Sequence, residues 1–282
     1  MEKLIHQEIS DLIKQGLFQE ATQKINSYSQ EQITNDGLDN VAYWMTQEKA
    51  NVCAYGFMCY WAHLQNNKNA FIKAGMTLEI GTPYVIGAYS VAYAYAKRAI
   101  ELNPEDKDLS LYLLSMYRVP ESEISTVEQR EIATYVLEKW PEDKYAQAAL
   151  SYTKEFADSN EQPTKNHVAM LIKEDKACAL KWLIRRGMFI ETRSIINEFS
   201  EGKIVSILKT LATEERNVTA YDYLWFLAQE QGETAKNHLI AAELCWLVFE
   251  SNVHPYDPLE GAKELHDFHI RRAAELESKS SQ

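Results

Sequence analysis

The chain has 282 residues, enough to bury a full core in one or two domains, and 41 acidic residues against 29 basic ones give it a formal net charge of −12. That balance argues against broad binding to nucleic acid or to an anionic membrane, which needs a basic surface. Ten glycines and seven prolines are too few for a turn-dense all-β fold, and no run of roughly 18 apolar residues suits a membrane span.

The opening MEKLIHQEISDLIKQG reads as a charged amphipathic helix, not as a secretory signal. Leu4, Ile5, Ile9, Leu12 and Ile13 form its apolar stripe, Gly16 can end it, and Phe18, Ala21 and Ile25 form the stripe of a second helix. Aromatic-rich EKANVCAYGFMCYWA follows, Gly81-Thr82-Pro83 breaks a helix, and GAYSVAYAYAKRAIEL begins another. KDLSLYLLSMYRV stops before Pro120. Ser125 is placed to cap STVEQREIATYVLEKW, with Glu128 at capping-box distance, and Pro141 separates that helix from EDKYAQAALSYTKEF. The polar stretch Asp158 to Asn166 is linker-like, which divides the chain into residues 1–160 and 161–282.

The second part repeats the first. Leu12–Ile33 aligned without gaps on Leu183–Ile204 gives nine identities in 22 positions, among them Gly16/Gly187, Phe18/Phe189, Glu20/Glu191 and Asn26/Asn197. Glu48–Ala62 then falls on Glu214–Ala228 and Gly87–Leu102 on Gly261–Leu276. A shared helical period would match apolar with apolar, but would not also align Gly, Glu and Asn. An internal duplication of about 8–102 and 179–276 is expected, the first copy being followed by three extra helices.

The phrase around Gly16, and AYSVAYAYAKRAIELNPED with Ala92, Ala99 and Pro104, resemble the joints of tetratricopeptide repeats. Ala96 stands where that repeat carries an aromatic, and a period of roughly 34 residues is not sustained. The resemblance implies an all-α, tetratricopeptide-like α-solenoid of antiparallel helical hairpins with irregular units. Residues 8–150 also resemble small bacterial helical proteins associated with neutralising polymorphic toxins. The resemblance is carried by Gly87-Ala88-Tyr89, Arg98 to Asp106, Leu113-Leu114 and Pro120-Glu121. It implies a bacterial immunity protein.

The sequence holds no phosphate loop, dinucleotide fingerprint or nucleophile elbow. Cys53, Cys59, Cys178 and Cys245 lack zinc-like spacing and read as buried reduced thiols in a cytoplasmic protein. His266 and His269 lie three apart, with His238 and His254 as possible neighbours. The aligned first copy has Ala92 and Tyr95 at the first two positions, so the frame does not require histidine there, and the expectation is ordinary half-buried imidazoles without metal. Glu243 and Glu260 sit in apolar phrases and read as partly buried. No catalytic residue, metal or cofactor is expected.

Between Glu101 and Asp143 eleven acids face four basic residues, whereas residues 51–100 hold one acid, Glu79. The expected function is therefore protein binding without catalysis: an immunity protein masking the basic cleft of a cationic toxin domain, a nuclease by preference, through Glu121, Glu123, Glu128 and Glu131. Tyr43 and Trp44 align with Lys209 and Thr210, lie outside the shared core pattern, and are candidate anchors. The alternatives are an adaptor that captures a peptide in its groove and, third, a metal-dependent enzyme built on His238, Glu243, Glu260 and the 266/269 pair.

Overall fold

The computed structural model describes residues 2–35, 37–48, 51–81, 85–116, 126–155, 172–173, 175–250 and 260–280. Among these the chain is all-α, with sixteen α-helices and no strand, and no helix is long and apolar enough to cross a membrane.

The first hairpin, α1 (Glu2–Lys14) and α2 (Phe18–Asn26), buries Ile9, Ile13, Phe18, Ala21 and Ile25. Gly16 ends α1 in the left-handed region, at φ +67°. There its N–H donates to Ile13 O at 2.9 Å and that of Leu17 to Leu12 O at 2.9 Å, closing the last carbonyls of the helix. The aligned phrase ends in the same way: Gly187 has φ +68°, and the Gly187 and Met188 N–H groups donate to Ile184 O and Leu183 O at 3.0 and 2.9 Å.

Beyond the turn the two phrases part. The second helix is not continued through the second phrase. Phe189–Thr192 forms a single turn, followed by a 3₁₀ segment at Ile196–Glu198. Thr192 stands in place of Ala21, and its hydroxyl donates to Phe189 O at 2.6 Å while accepting from the Tyr223 hydroxyl at 2.7 Å. A side chain that competes for its own helix carbonyl weakens the ladder there.

The remaining elements are α3 (Gln30–Asn35), α4 (Val41–Glu48), α5 (Val52–Gln65), α6 (Lys68–Gly81), α7 (Ala88–Leu102), α8 (Lys107–Ser115), α9 (Thr126–Lys139) and α10 (Lys144–Glu155). After α11 (Lys176–Arg185) and α12 (Phe189–Thr192) come α13 (Glu201–Glu214), α14 (Thr219–Gln231), α15 (Ala235–Cys245) and α16 (Ala262–Ser280). Asp106 and Asp143 cap α8 and α10. Ser125, the linker-like stretch and the boundary near 160 lie outside the described residues.

Helices α5 and α14 are buried on all faces along most of their length, which places them at the centre. One apolar core runs through residues from both sides of the sequence boundary, and a smaller one joins α8, α9 and α10 through Leu114, Ala133, Val136, Ala146 and Ala149.

The contacts between the aligned segments are crossed. The N–H of Val52, at the start of α5, donates to Glu260 O just before α16, and the N–H of Val218, beside α14, donates to Ile86 O just before α7, both at 2.9 Å. Asn51 and Asn217 each accept from the backbone N–H two residues on, at 2.9 and 3.0 Å. Gly16 lies on the Glu264 carbonyl of α16, and Gly187 on the Ser90 carbonyl of α7. Each hairpin turn thus packs on the long helix of the other sequence half.

A methyl group on Gly187 would sit 1.9 Å from the Ser90 carbonyl oxygen, on a backbone already at positive φ. Gly187→Ala is expected to cost more than about 2 kcal/mol in urea denaturation. Gly202→Ala, in open space on α13, is expected to be neutral or to stabilise by up to about 1 kcal/mol.

Candidate functional site

Five acids of the acidic stretch are paired, two with its own lysines and three with cations from outside it. Asp106 pairs with Lys68, Asp143 with Lys107 at 2.7 Å, Glu105 with Lys139 at 2.7 Å, and Glu101 with Arg98 and Arg193 at 2.8 and 2.7 Å. The lysine hydrogen bonds hold the Asp106 and Asp143 carboxyls below the ordinary range. Glu128 is buried, with Arg186 at 2.9 Å and the Tyr93 hydroxyl at 3.3 Å, so its charge is spent inside. Glu131 is exposed on the same helix, and Glu138 and Glu142 follow it on the surface. Glu121 and Glu123 lie outside the described residues.

Tyr43 is half-buried and lines a surface groove of about 430 Å³ between α4, α6 and α8, together with Asn40, Lys68, Ile72, Met76 and Asp108. Trp44 is 42% exposed and meets the His6 ring edge-on at 5.3 Å. The other early aromatics, Tyr55, Phe57, Tyr60 and Trp61, are core, as are Tyr221, Tyr223, Trp225 and Phe226. A second groove, of about 420 Å³, is lined by Phe199, Val205, Leu227 and Ile240 among others.

Two of the four candidate histidines come together. His238 and His269 are buried with their Nδ1 atoms 2.7 Å apart. Glu233 lies 2.7 Å from His238 Nε2 and is gripped by Arg272, and the Tyr221 hydroxyl is 2.9 Å from His269 Nε2. Burial drives the His269 imidazole well below its usual range, and the His238 ring adds to this. The arginine and histidine hydrogen bonds hold the Glu233 carboxyl far below its usual range against the opposing effect of its burial. His266 stands apart, against Trp246 at 5.2 Å, and His254 lies outside the described residues. No group of three or more His, Cys, Asp or Glu side chains among the described residues is arranged to hold a metal.

Three sequence expectations need correction. Glu243 is exposed and pairs with Lys209 at 2.8 Å, and Glu260 is exposed too, its carbonyl serving Val52. Cys53, Cys59 and Cys245 are buried thiols, but Cys178, in the first turn of α11, faces solvent.

The residue that sequence reasoning missed is Asp222. It is fully buried, and its Oδ1 accepts from the hydroxyls of Tyr55 and Tyr95, the latter at 2.9 Å, with the Cys59 thiol at 3.6 Å. Its Oδ2 has no partner. Burial raises the carboxyl to about 7, and the two tyrosines and the thiol limit the rise. The signal was available: an aspartate inside AYDYLWFLA where the aligned first phrase has Gly56.

No family model matches the sequence, and neither a curated protein nor a solved structure matches the chain.

A carboxyl neutral in the folded state up to about pH 7, and ionised above about 3.8 when unfolded, lends stability that is complete below 3.8 and lost as pH rises to 7. Asp222→Asn removes this dependence. Between pH 4 and 7 the stability difference between variant and wild type is expected to drift toward the variant by on the order of 1.4 kcal/mol per pH unit, read from urea midpoints.

Proposed function

We propose that this chain is a protein-binding scaffold without catalysis, built from a duplicated, tetratricopeptide-like unit whose halves clasp each other. Within that class the reading is a cytoplasmic bacterial immunity protein that occludes the basic cleft of a cationic toxin domain, a nuclease by preference. The supporting observation is the outer helical pair α9 and α10. It shares a small core with α8 and, with the turn that joins its two helices, exposes Glu131, Glu138 and Glu142 in a chain of net charge −12. Glu128 is not part of that surface. The resemblance of residues 8–150 to immunity-type helical proteins points the same way.

Purification with the product of the neighbouring gene, followed by titration of its basic domain, tests the reading. Glu131→Lys, Glu138→Lys and Glu142→Lys together are expected to weaken the complex at least tenfold at low salt, and added salt should weaken the wild type in parallel. Unchanged affinity in the triple variant would remove this surface from the interface.

A second reading, an adaptor that captures a peptide, is favoured by the groove lined by Tyr43. It predicts that Tyr43→Ala reduces peptide binding while salt leaves it nearly unchanged, as measured by fluorescence anisotropy.

A further inference from the structure

Helices α6 and α7 meet through an aromatic pair. Phe71, the fourth residue of α6, and Tyr95 have ring centroids 5.9 Å apart. Where α15 meets α16 the corresponding pair is His238, the fourth residue of α15, and His269, which aligns with Tyr95, at 5.0 Å. Packing alone is served by the aromatic pair, so the imidazoles add something else.

Their hydrogen bonds run in one direction. The Glu233 carboxylate, held by Nε and Nη2 of Arg272, can only accept, so His238 donates to it from Nε2. A neutral His238 then accepts at Nδ1 from the Nδ1–H of His269, whose Nε2 accepts in turn from the Tyr221 hydroxyl. One added proton is absorbed by turning the chain round from His238 Nδ1 to Tyr221. A second sets N–H against N–H at 2.7 Å and two cations side by side. The neighbours do not relieve this. Glu233 is already committed to Arg272, which also pairs with Glu275. His63 of α5 and His266 of α16 add positive charge when they protonate. Burial keeps the Tyr60 and Tyr221 hydroxyls and the Cys245 thiol neutral.

We infer that the His238–His269 contact is a proton-operated latch between α15 and α16, closed at neutral pH and opened by mild acid. In the open state the imidazoles titrate as ordinary histidines, near pH 6.5, and His269 in the closed state does not. Acid therefore favours the open state by about tenfold per pH unit below 6.5 for this group alone.

Hydrogen exchange on the full chain between pH 7.5 and 5 tests the latch, after correction for the intrinsic pH dependence of exchange. Amides of α15 and α16 in the wild type are expected to speed up about tenfold per pH unit below 6.5, with α6 and α7 unaffected. The double variant His238→Phe, His269→Tyr, which copies the aromatic pair, is expected to abolish the acceleration while leaving Asp222 in place. Equal pH responses in wild type and variant would overturn the inference. A measurement without variants guards against misfolding: ¹⁵N imidazole spectra of the wild type. They are expected to show an Nε2–H tautomer at His238 and an Nδ1–H tautomer at His269 at pH 7.5. Independent titration of both rings near 6.5, with α15 and α16 still protected, would equally overturn it.

Discussion

Two main-chain hydrogen bonds, Val52 N–H to Glu260 O and Val218 N–H to Ile86 O, fix how the molecule closes. Each joins the start of a central helix to the loop that feeds a long helix of the other sequence half, and each is flanked by a capping asparagine and by a glycine at φ near +90°. With these ends tied, α5 and α14 must lie in one core. The hairpin turns at Gly16 and Gly187 are then pressed onto α16 and α7 so closely that a side chain would meet carbonyl oxygen. Direct packing of backbone on backbone, and not the length of the apolar runs, sets the register of the whole assembly.

Crossing also decides where charge and polarity end up. Arg186 and Arg193, near the second glycine turn, reach Glu128 and Glu101 of the first half, and Lys97 of α7 reaches Glu191. Cations of the other half thus cancel part of the acid excess between residues 101 and 143, while Glu131, Glu138 and Glu142 remain on the surface. The same closeness buries groups that seldom go inside. Asp222 stands among two tyrosines and a thiol, and the His238–His269 pair lies between α14, α15 and α16. In the histidine cluster the polar atoms satisfy one another, whereas Asp222 keeps one buried carboxyl oxygen without a partner.

Features governed by neighbours along the chain were legible. The helical class, the glycine-ended helix at Gly16 and the break between α9 and α10 at Pro141 all follow from spacing and local conformational preference. So did the marking of His266 and His269 as positions the repeated pattern does not dictate, although only His269 turned out to have a buried partner. Features governed by distant contacts were not legible. Glu128 at capping-box spacing looks like a surface acid until Arg186 is brought beside it, and Glu243 in an apolar phrase faces outward. The single turn at Phe189–Thr192 ends where the Thr192 hydroxyl takes the Phe189 carbonyl while accepting from distant Tyr223. Asp222 differs from Gly56 by one letter in an aligned phrase, yet its meaning appears only when Tyr55 and Tyr95 converge on it.

The contact of Gly16 with α16 spans nearly the whole described chain, since Arg271 also reaches back to the Gly16 carbonyl at 2.7 Å. During synthesis the hairpin of α1 and α2 precedes its covering helix, residues 262–280, by more than 230 residues. In that interval the faces of α2 and α5 that end up against Leu265 and Phe268 lack their cover. The packing of α2 and α5 is therefore completed only by residues far along the chain, and cannot be finished locally.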